Sequence, residues 1–388
     1  MKSLMTLLIV LLSALWGAGC ATRANHPTAP AGLLADAAFG PPSVKVDAGS
    51  AFALSDAMER YLQVDIAAEL HRSGPRDGLI KALYTSGELR LDYDATRTRN
   101  AAEAFEARSG NCLSLVLMTA AFAKRLGLPV TYQTVVTEDV WTRSGDLYLA
   151  NGHINVTLAR RMADRTTRAD ARALVTIDFL PQQDLEHQRI RVIDESTVLA
   201  MYMNNRAAEA LAQGRLDDAY AWARDALLRA PGFTSVYNTL GVIYRRRGLL
   251  AEAEAVYTRA LADQPDNTVV LANLSWMLEQ QGRSAEAAPY AARLARLEPA
   301  APFHHYRLRR EAMQQGDHGA ARIHFARQVE ITPNDAECHF WLAVAVYAAG
   351  DVSGARRHLT QAVQSSTSRR DHDLYAAKLD LIRASRSP

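Results

Sequence analysis

The chain has 388 residues, long enough for two or three domains with cores of their own. Hydrophobic residues make up 48% and charged residues 22%, an ordinary globular mix, and the formal net charge is only +2. So small a balance, with no basic stripe interleaved with aromatics, provides no field for nucleic acid, which is not an expected partner. The three cysteines, Cys20, Cys112 and Cys338, are far apart and in odd number. That argues against a disulfide framework and against zinc, so no metal and no cofactor are expected, and each cysteine needs its own explanation.

Residues 1–19 read as an address. Lys2 is a positive start, Leu4 to Trp16 is an apolar run too short to span a bilayer comfortably, and Gly17-Ala18-Gly19 leads into Cys20. This resembles the lipobox of bacterial lipoproteins, with Gly17 where that family usually has leucine. The resemblance implies that 1–19 is a signal peptide, that Cys20 is acylated and becomes the new N-terminus, and that buried methylenes anchor the protein to a membrane. Ala21 is not aspartate, which by the sorting logic of such lipoproteins implies the outer membrane, facing the periplasm. Residues 20–48, rich in Pro, Ala and Gly, read as a flexible tether.

A middle domain follows at 49–195. Leu54, Met58, Tyr61, Leu62, Ile66 and Leu70 recur at helical spacing, and further helices are expected over 77–84 and 98–108. Ser109-Gly110-Asn111 then turns into an apolar helix that starts at Cys112 and stops at Gly127, with Pro129 just beyond. The first turn of a helix offers free N–H groups and a positive dipole end, which favour a thiolate and can hold an oxyanion. Strands are expected at 130–136, within 148–158 with His153 at its start, and at 174–181 with Asp178, a charged insertion (160–172) lying between the last two. Asp178 sits among apolar neighbours, where a carboxylate needs a partner. Asp170 and Asp194 are weaker candidates for that place, and Asn155 shares the face of His153 if the strand is regular. Trp141 is a candidate for shaping the cleft.

A cysteine at a helix start, a histidine on one strand and an aspartate on the next resemble the transglutaminase-like, or papain-like, superfamily over about 108–181. The intervals are 41 residues from Cys112 to His153 and 25 from His153 to Asp178. The resemblance implies that Cys112 is the nucleophile, His153 its base and Asp178 the group that orients the imidazole, for acyl transfer or amide hydrolysis through a cysteine thioester.

The second half repeats. Gly214, Gly248, Gly282, Gly316 and Gly350 are each 34 residues apart, as are Pro231, Pro265, Pro299 and Pro333. An alanine follows each glycine by five residues: Ala219, Ala253, Ala287, Ala321 and Ala355. A glycine that ends one helix, a small residue where the next packs closely, and a proline that closes it describe a helical hairpin. The second unit, with Tyr237, Leu240, Gly241, Tyr244, Gly248, Ala253, Tyr257, Ala260 and Pro265, resembles the tetratricopeptide repeat. Five such repeats are expected over 200–367 and a capping helix over 371–385, the fifth having Thr367 in place of its proline. Cys338 reads as a buried small residue, His304, His305 and His318 as packing or surface positions, and Arg245-Arg246-Arg247 as a solvated helix end.

The expected whole is an α+β transglutaminase-like domain followed by an all-α tetratricopeptide solenoid. On the enzymatic reading the array binds the protein or peptide on which Cys112 acts. On the alternative reading the chain is a non-catalytic periplasmic scaffold that assembles a complex through its repeats. A redox-sensing role for Cys112 is disfavoured, because no resolving cysteine stands near it in sequence.

Overall fold

A computed structural model of the chain describes residues 32–85, 91–94, 97–136, 141–144, 147–150, 153–162, 174–179, 189–297, 322–323, 325–326, 329, 336–366 and 369–384. Residues 1–31 with Cys20, Asp170, Pro299, His304, His305, Gly316, His318, Ala321, Pro333 and Thr367 lie outside them.

The middle domain starts with three short helices, α1 (Asp56–Arg60, running into a wider turn over Tyr61–Asp65), α2 (Ala67–Ser73) and α3 (Pro75–Ile80). Met58, Leu62, Ile66 and Leu79 on their inner sides are buried. Asn100 then opens α4 (Ala101–Ala107) with a capping box to Glu103, and Arg108 closes it in the left-handed region, φ 49°. That turn sends Ser109–Gly110 (β2) alongside Asp92–Tyr93 (β1) and delivers the chain to α5 (Cys112–Arg125). Gly110 is required here, since a Cβ would stand 2.6 Å from that of Ser114. Every residue of α5 from Leu113 to Ala123 is buried, so it is the central helix of the domain.

Strands β3 (Val130–Val136), β6 (His153–Ala159), β7 (Leu174–Ile177) and β8 (Arg189–Ile193) make an antiparallel sheet in the order β7-β6-β3-β8. The strand expected within 148–158 with His153 at its start is β6, and the hairpin that precedes it, β4 (Trp141–Ser144) with β5 (Leu147–Ala150), was not expected. Strand β8 was not expected, although Arg189-Ile190-Arg191-Val192-Ile193 alternates with period two. The register pairs Val135 with both His153 and Ile190, and Gln133 with both Asn155 and Val192. His153 and Asn155 therefore share a face with the exposed Ile190 and Val192. Ile154, Val156 and Leu158 point the other way and are fully buried.

Asp194 caps the next helix by accepting from Thr197 N, and α6 (Glu195–Ala212) begins the array a few residues ahead of the expected start. Helices α7 (Leu216–Arg229), α8 (Ser235–Arg247), α9 (Leu250–Asp263), α10 (Thr268–Gln280) and α11 (Ser284–Leu297) complete three hairpins. Helices α12 (Ala336–Ala348) and α13 (Val352–Ser365) form the hairpin of the fifth repeat, and α14 (Arg369–Ala384) packs on it as the cap. Gly214, Gly248, Gly282 and Gly350 all have φ between 74° and 86°, and Ala219, Ala253, Ala287 and Ala355 are fully buried. Cys338 is buried as well.

Residues 33–47 are a strap laid on the first two repeats. Phe39 stacks on Tyr220 with ring centroids 4.0 Å apart, beneath the Arg247 guanidinium. Asp36 accepts from Tyr220 and Arg224 (2.8 Å each), Asp218 accepts from Ser43 N, and Tyr244 donates to Leu33 O. Exposed ion pairs are worth about 0–1 kcal/mol and a good aromatic pair about 0.5–1.5 kcal/mol beyond its area, so the Phe39 stack and the hydrogen bonds to the buried Asp218 and Tyr244 outweigh the Asp36–Arg224 pair in the attachment. The described part of the segment read as a tether is thus fastened to the array. The arginine triplet is not merely solvated either. Arg245 lies over Trp276, Arg246 donates to Leu211 O and Arg247 to Ala38 O.

Gly241 supports a direct test of the array packing. A Cβ there would stand 2.3 Å from the fully buried Tyr257 ring, which has no room to retreat. Gly241→Ala should cost about 2–3 kcal/mol in chemical denaturation, whereas Gly248→Ala, strained at φ 85° but in open space, should cost about 1 kcal/mol.

Candidate active site

Asn111 has extended backbone, and its side-chain oxygen accepts from Ser114 N at 2.9 Å and from Ser114 Oγ at 2.8 Å. This N-cap makes Cys112 the first residue of α5, half-buried, at the end where backbone N–H groups are unspent. The first residue of β6, His153, meets it. The imidazole neighbours the Cys112 thiol closely enough for the two to interact, and that interaction favours the charged ring. On its other side His153 Nε2 is 2.6 Å from Asp178 Oδ1, just past the end of β7. This occupies Nε2 and leaves Nδ1 as the ring nitrogen able to exchange a proton with sulfur.

Three sequence candidates are thus brought together, Cys112, His153 and Asp178. Asp194 is elsewhere, as the cap of α6, and the side chain of Trp141 is outside the described residues. The structure adds Asn155 to the cluster. Its Nδ2 donates to Asp178 Oδ2 at 3.2 Å, while its own Oδ1 is buried with no partner among the described residues. Period-two alternation puts Asn155 on the His153 face, but the sequence does not show that Asp178 lies directly across the strand pair.

Burial works against a charged His153 and pulls its pKa down. The Asp178 hydrogen bond and the neighbouring Cys112 outweigh it, and the net result is a pKa raised to about 9. No group of three or more His, Cys, Asp or Glu side chains suited to a metal ion occurs among the described residues. A thiol beside an imidazole at a helix N-terminus is an arrangement capable of nucleophilic chemistry, since the ring can carry a proton and free N–H groups can face negative charge.

The tetratricopeptide repeat family model matches residues 204–268, 238–305 and 306–369. No curated protein matches the chain. Among solved structures, the chain is similar to YrrB, described as a TPR protein with an unusual peptide-binding site. The identity is 21%, over 46% of this chain and 92% of that one, with a TM-score of 0.26. It is also similar to pilF of Pseudomonas aeruginosa (20% identity, 48% of this chain and 85% of that one, TM-score 0.32). A third is a thermophilic TPR protein of Thermus thermophilus, at 18% identity over 47% of this chain and 99% of that one, TM-score 0.33. The second half of the chain is a tetratricopeptide repeat array. It follows a domain of helices and a small sheet that carries a Cys-His-Asp cluster.

The raised His153 pKa has a sign that can be checked. Folding raises the proton affinity of the ring, so the stability it contributes is complete below about pH 6.5 and is lost as pH rises through about 9. NMR titration of the His153 ring should show a midpoint near pH 9 in the wild type and a lower one in Asp178→Asn. A wild-type midpoint at or below the ordinary imidazole value would remove the charge-paired description of the cluster.

Proposed function

We propose that the middle domain is a transglutaminase-like cysteine acyl-transfer domain, acting mainly as an amide hydrolase, and that the array recruits the protein or peptide it acts on. The observation that carries the proposal is Cys112, at the N-terminus of a buried helix, interacting with an imidazole whose Nε2 is 2.6 Å from Asp178. In the reaction, the Cys112 thiolate attacks an acyl carbonyl, and the α5 N-terminus faces the oxyanion. The His153 imidazolium gives its Nδ1 proton to the leaving amine as the C–N bond breaks, which leaves a thioester on sulfur. Water then adds to the thioester while His153 takes a proton, and the acid departs with the thiolate restored. Throughout, Asp178 holds the ring in one orientation and stabilises its charged form. The proposal includes an envelope address, with Cys20 lipidated and the protein held at the outer membrane facing the periplasm. Cys20→Ser should then abolish incorporation of labelled palmitate in bacterial cells.

The alternative is a scaffold in which the middle domain only folds and binds. It is favoured by the family match, which falls on the repeats and not on the domain with the cluster. One assay separates the two. With p-nitrophenyl acetate, the acyl-transfer reading predicts a burst of nitrophenolate stoichiometric with protein and an acetyl group mapped to Cys112 by mass spectrometry. The burst should vanish in Cys112→Ala and slow by at least about 100-fold in His153→Ala. No burst, or one that persists without Cys112, would leave the scaffold reading standing.

A further inference from the structure

Thr98 belongs to the middle domain, in the short stretch before α4, yet its hydrogen bonds are divided between that domain and the array. On the array side, Thr98 N donates to Glu209 Oε1 at 2.6 Å. Thr98 O accepts from Arg206 at 3.1 Å, and Thr98 Oγ1 accepts from Asn205 Nδ2 at 3.2 Å. All three partners lie on α6, the first helix of the array. On the domain side, Thr98 Oγ1 also accepts from Asn111 Nδ2 at 2.8 Å. Asn111 is the N-cap whose other amide atom, Oδ1, bonds Ser114 and fixes the first turn of α5. The next residue, Arg99, closes the ring from its backbone, donating to Ser114 Oγ at 2.8 Å. Thr98 itself is 2% exposed, so water cannot replace a bond that is lost.

We propose that α6 sets the position of Cys112 through this Thr98 knot, so that the array regulates the thiol as well as recruiting for it. The inference rests on the reading of Cys112 as a nucleophile. The bonds of the knot are between 2.6 and 3.2 Å long. A tilt of α6 by about 1 Å, of the size helices make at regulated interfaces, carries such bonds past the roughly 3.5 Å at which they fail. A partner that fills the array and tilts α6 would, where Thr98 follows the helix to which three bonds hold it, draw Thr98 Oγ1 away from Asn111 Nδ2 and release that amide from one side. The N-cap would loosen one residue ahead of Cys112, and the sulfur would shift against His153. Thr98 and Asn111 are positioning residues in this scheme and touch neither substrate nor sulfur.

The test uses the full-length chain and the rate of acylation by p-nitrophenyl acetate. Thr98→Val keeps the shape and removes the acceptor, and should slow acylation roughly three- to tenfold and displace the pH–rate profile. Thr98→Ser should restore both. Asn205→Ala, made on the array side with the middle domain untouched, should act in the same direction with a smaller effect. Thermal melts identify any variant that fails to fold, and Asn205→Ala is the second, milder variant should Thr98→Val do so. If folded Thr98→Val and Asn205→Ala both acylate at the wild-type rate with the wild-type pH profile, the knot does not position the thiol. That result, together with a burst lost in His153→Ala, overturns the inference and leaves the acyl-transfer reading intact. The absence of a burst in the wild type would overturn both.

Discussion

The start of α5 is the constraint on which the rest of the molecule turns. A helix buried from Leu113 to Ala123 must present its first N–H groups somewhere, and Asn111 lets it do so at a half-buried point beside the sheet. Losing such a cap costs about 1 kcal/mol at an exposed helix end, and more where no water can substitute. The left-handed Arg108, the close approach at Gly110 and the Asn111 cap all serve to bring the chain into this one turn. Residue Cys112 occupies the position this geometry creates. The same asparagine faces Thr98, so the cap is tied to the first helix of the array as well as to its own domain.

Opposite the helix start, the sheet supplies a charged pair that has been largely withdrawn from water. Such burial is unfavourable for His153 and Asp178 taken separately and is offset only when each finds a partner. Asp178 is held twice, through Oδ1 by His153 and through Oδ2 by Asn155, so its carboxylate has little freedom to turn away. A carboxylate fixed in this manner keeps the imidazole in one orientation whether or not a substrate is bound. On the acyl-transfer reading, such a cluster is preorganised for proton transfer rather than assembled on demand.

Much of this was legible in the sequence, for physical reasons that differ by region. The array is dictated by local rules repeated at a fixed period, and its glycines, alanines and prolines announce each turn and close contact. The three cluster residues were legible because each sits at a boundary the sequence marks: after Ser109-Gly110-Asn111, after Gly152, and at the end of the apolar run Leu174–Ile177, although β7 stops there and does not continue to 181 as expected. The hairpin of β4 and β5 ahead of His153 was hidden, since Trp141 to Ala150 carries no alternation strong enough to mark two short strands. Nothing local reveals what lies across a sheet or between domains, so the Asn155 bond to Asp178 and the bonds of Thr98 to α6 were out of reach. The strap was misread for a related reason. A Pro-, Ala- and Gly-rich segment looks free, and only the folded array shows that Phe39 has Tyr220 to stack on.

The chain contains its own reference thiol. Cys338 is a fully buried thiol with no part in the cluster, while Cys112 is half-buried beside His153. Site-resolved alkylation of the native protein with iodoacetamide near neutral pH, followed by peptide mapping, compares the two thiols in one molecule. Cys112 should be modified well ahead of Cys338, and His153→Ala should erase most of that lead. Modification of Cys112 at a rate no faster than Cys338, or a lead that survives the loss of His153, would contradict the activation of Cys112 by His153.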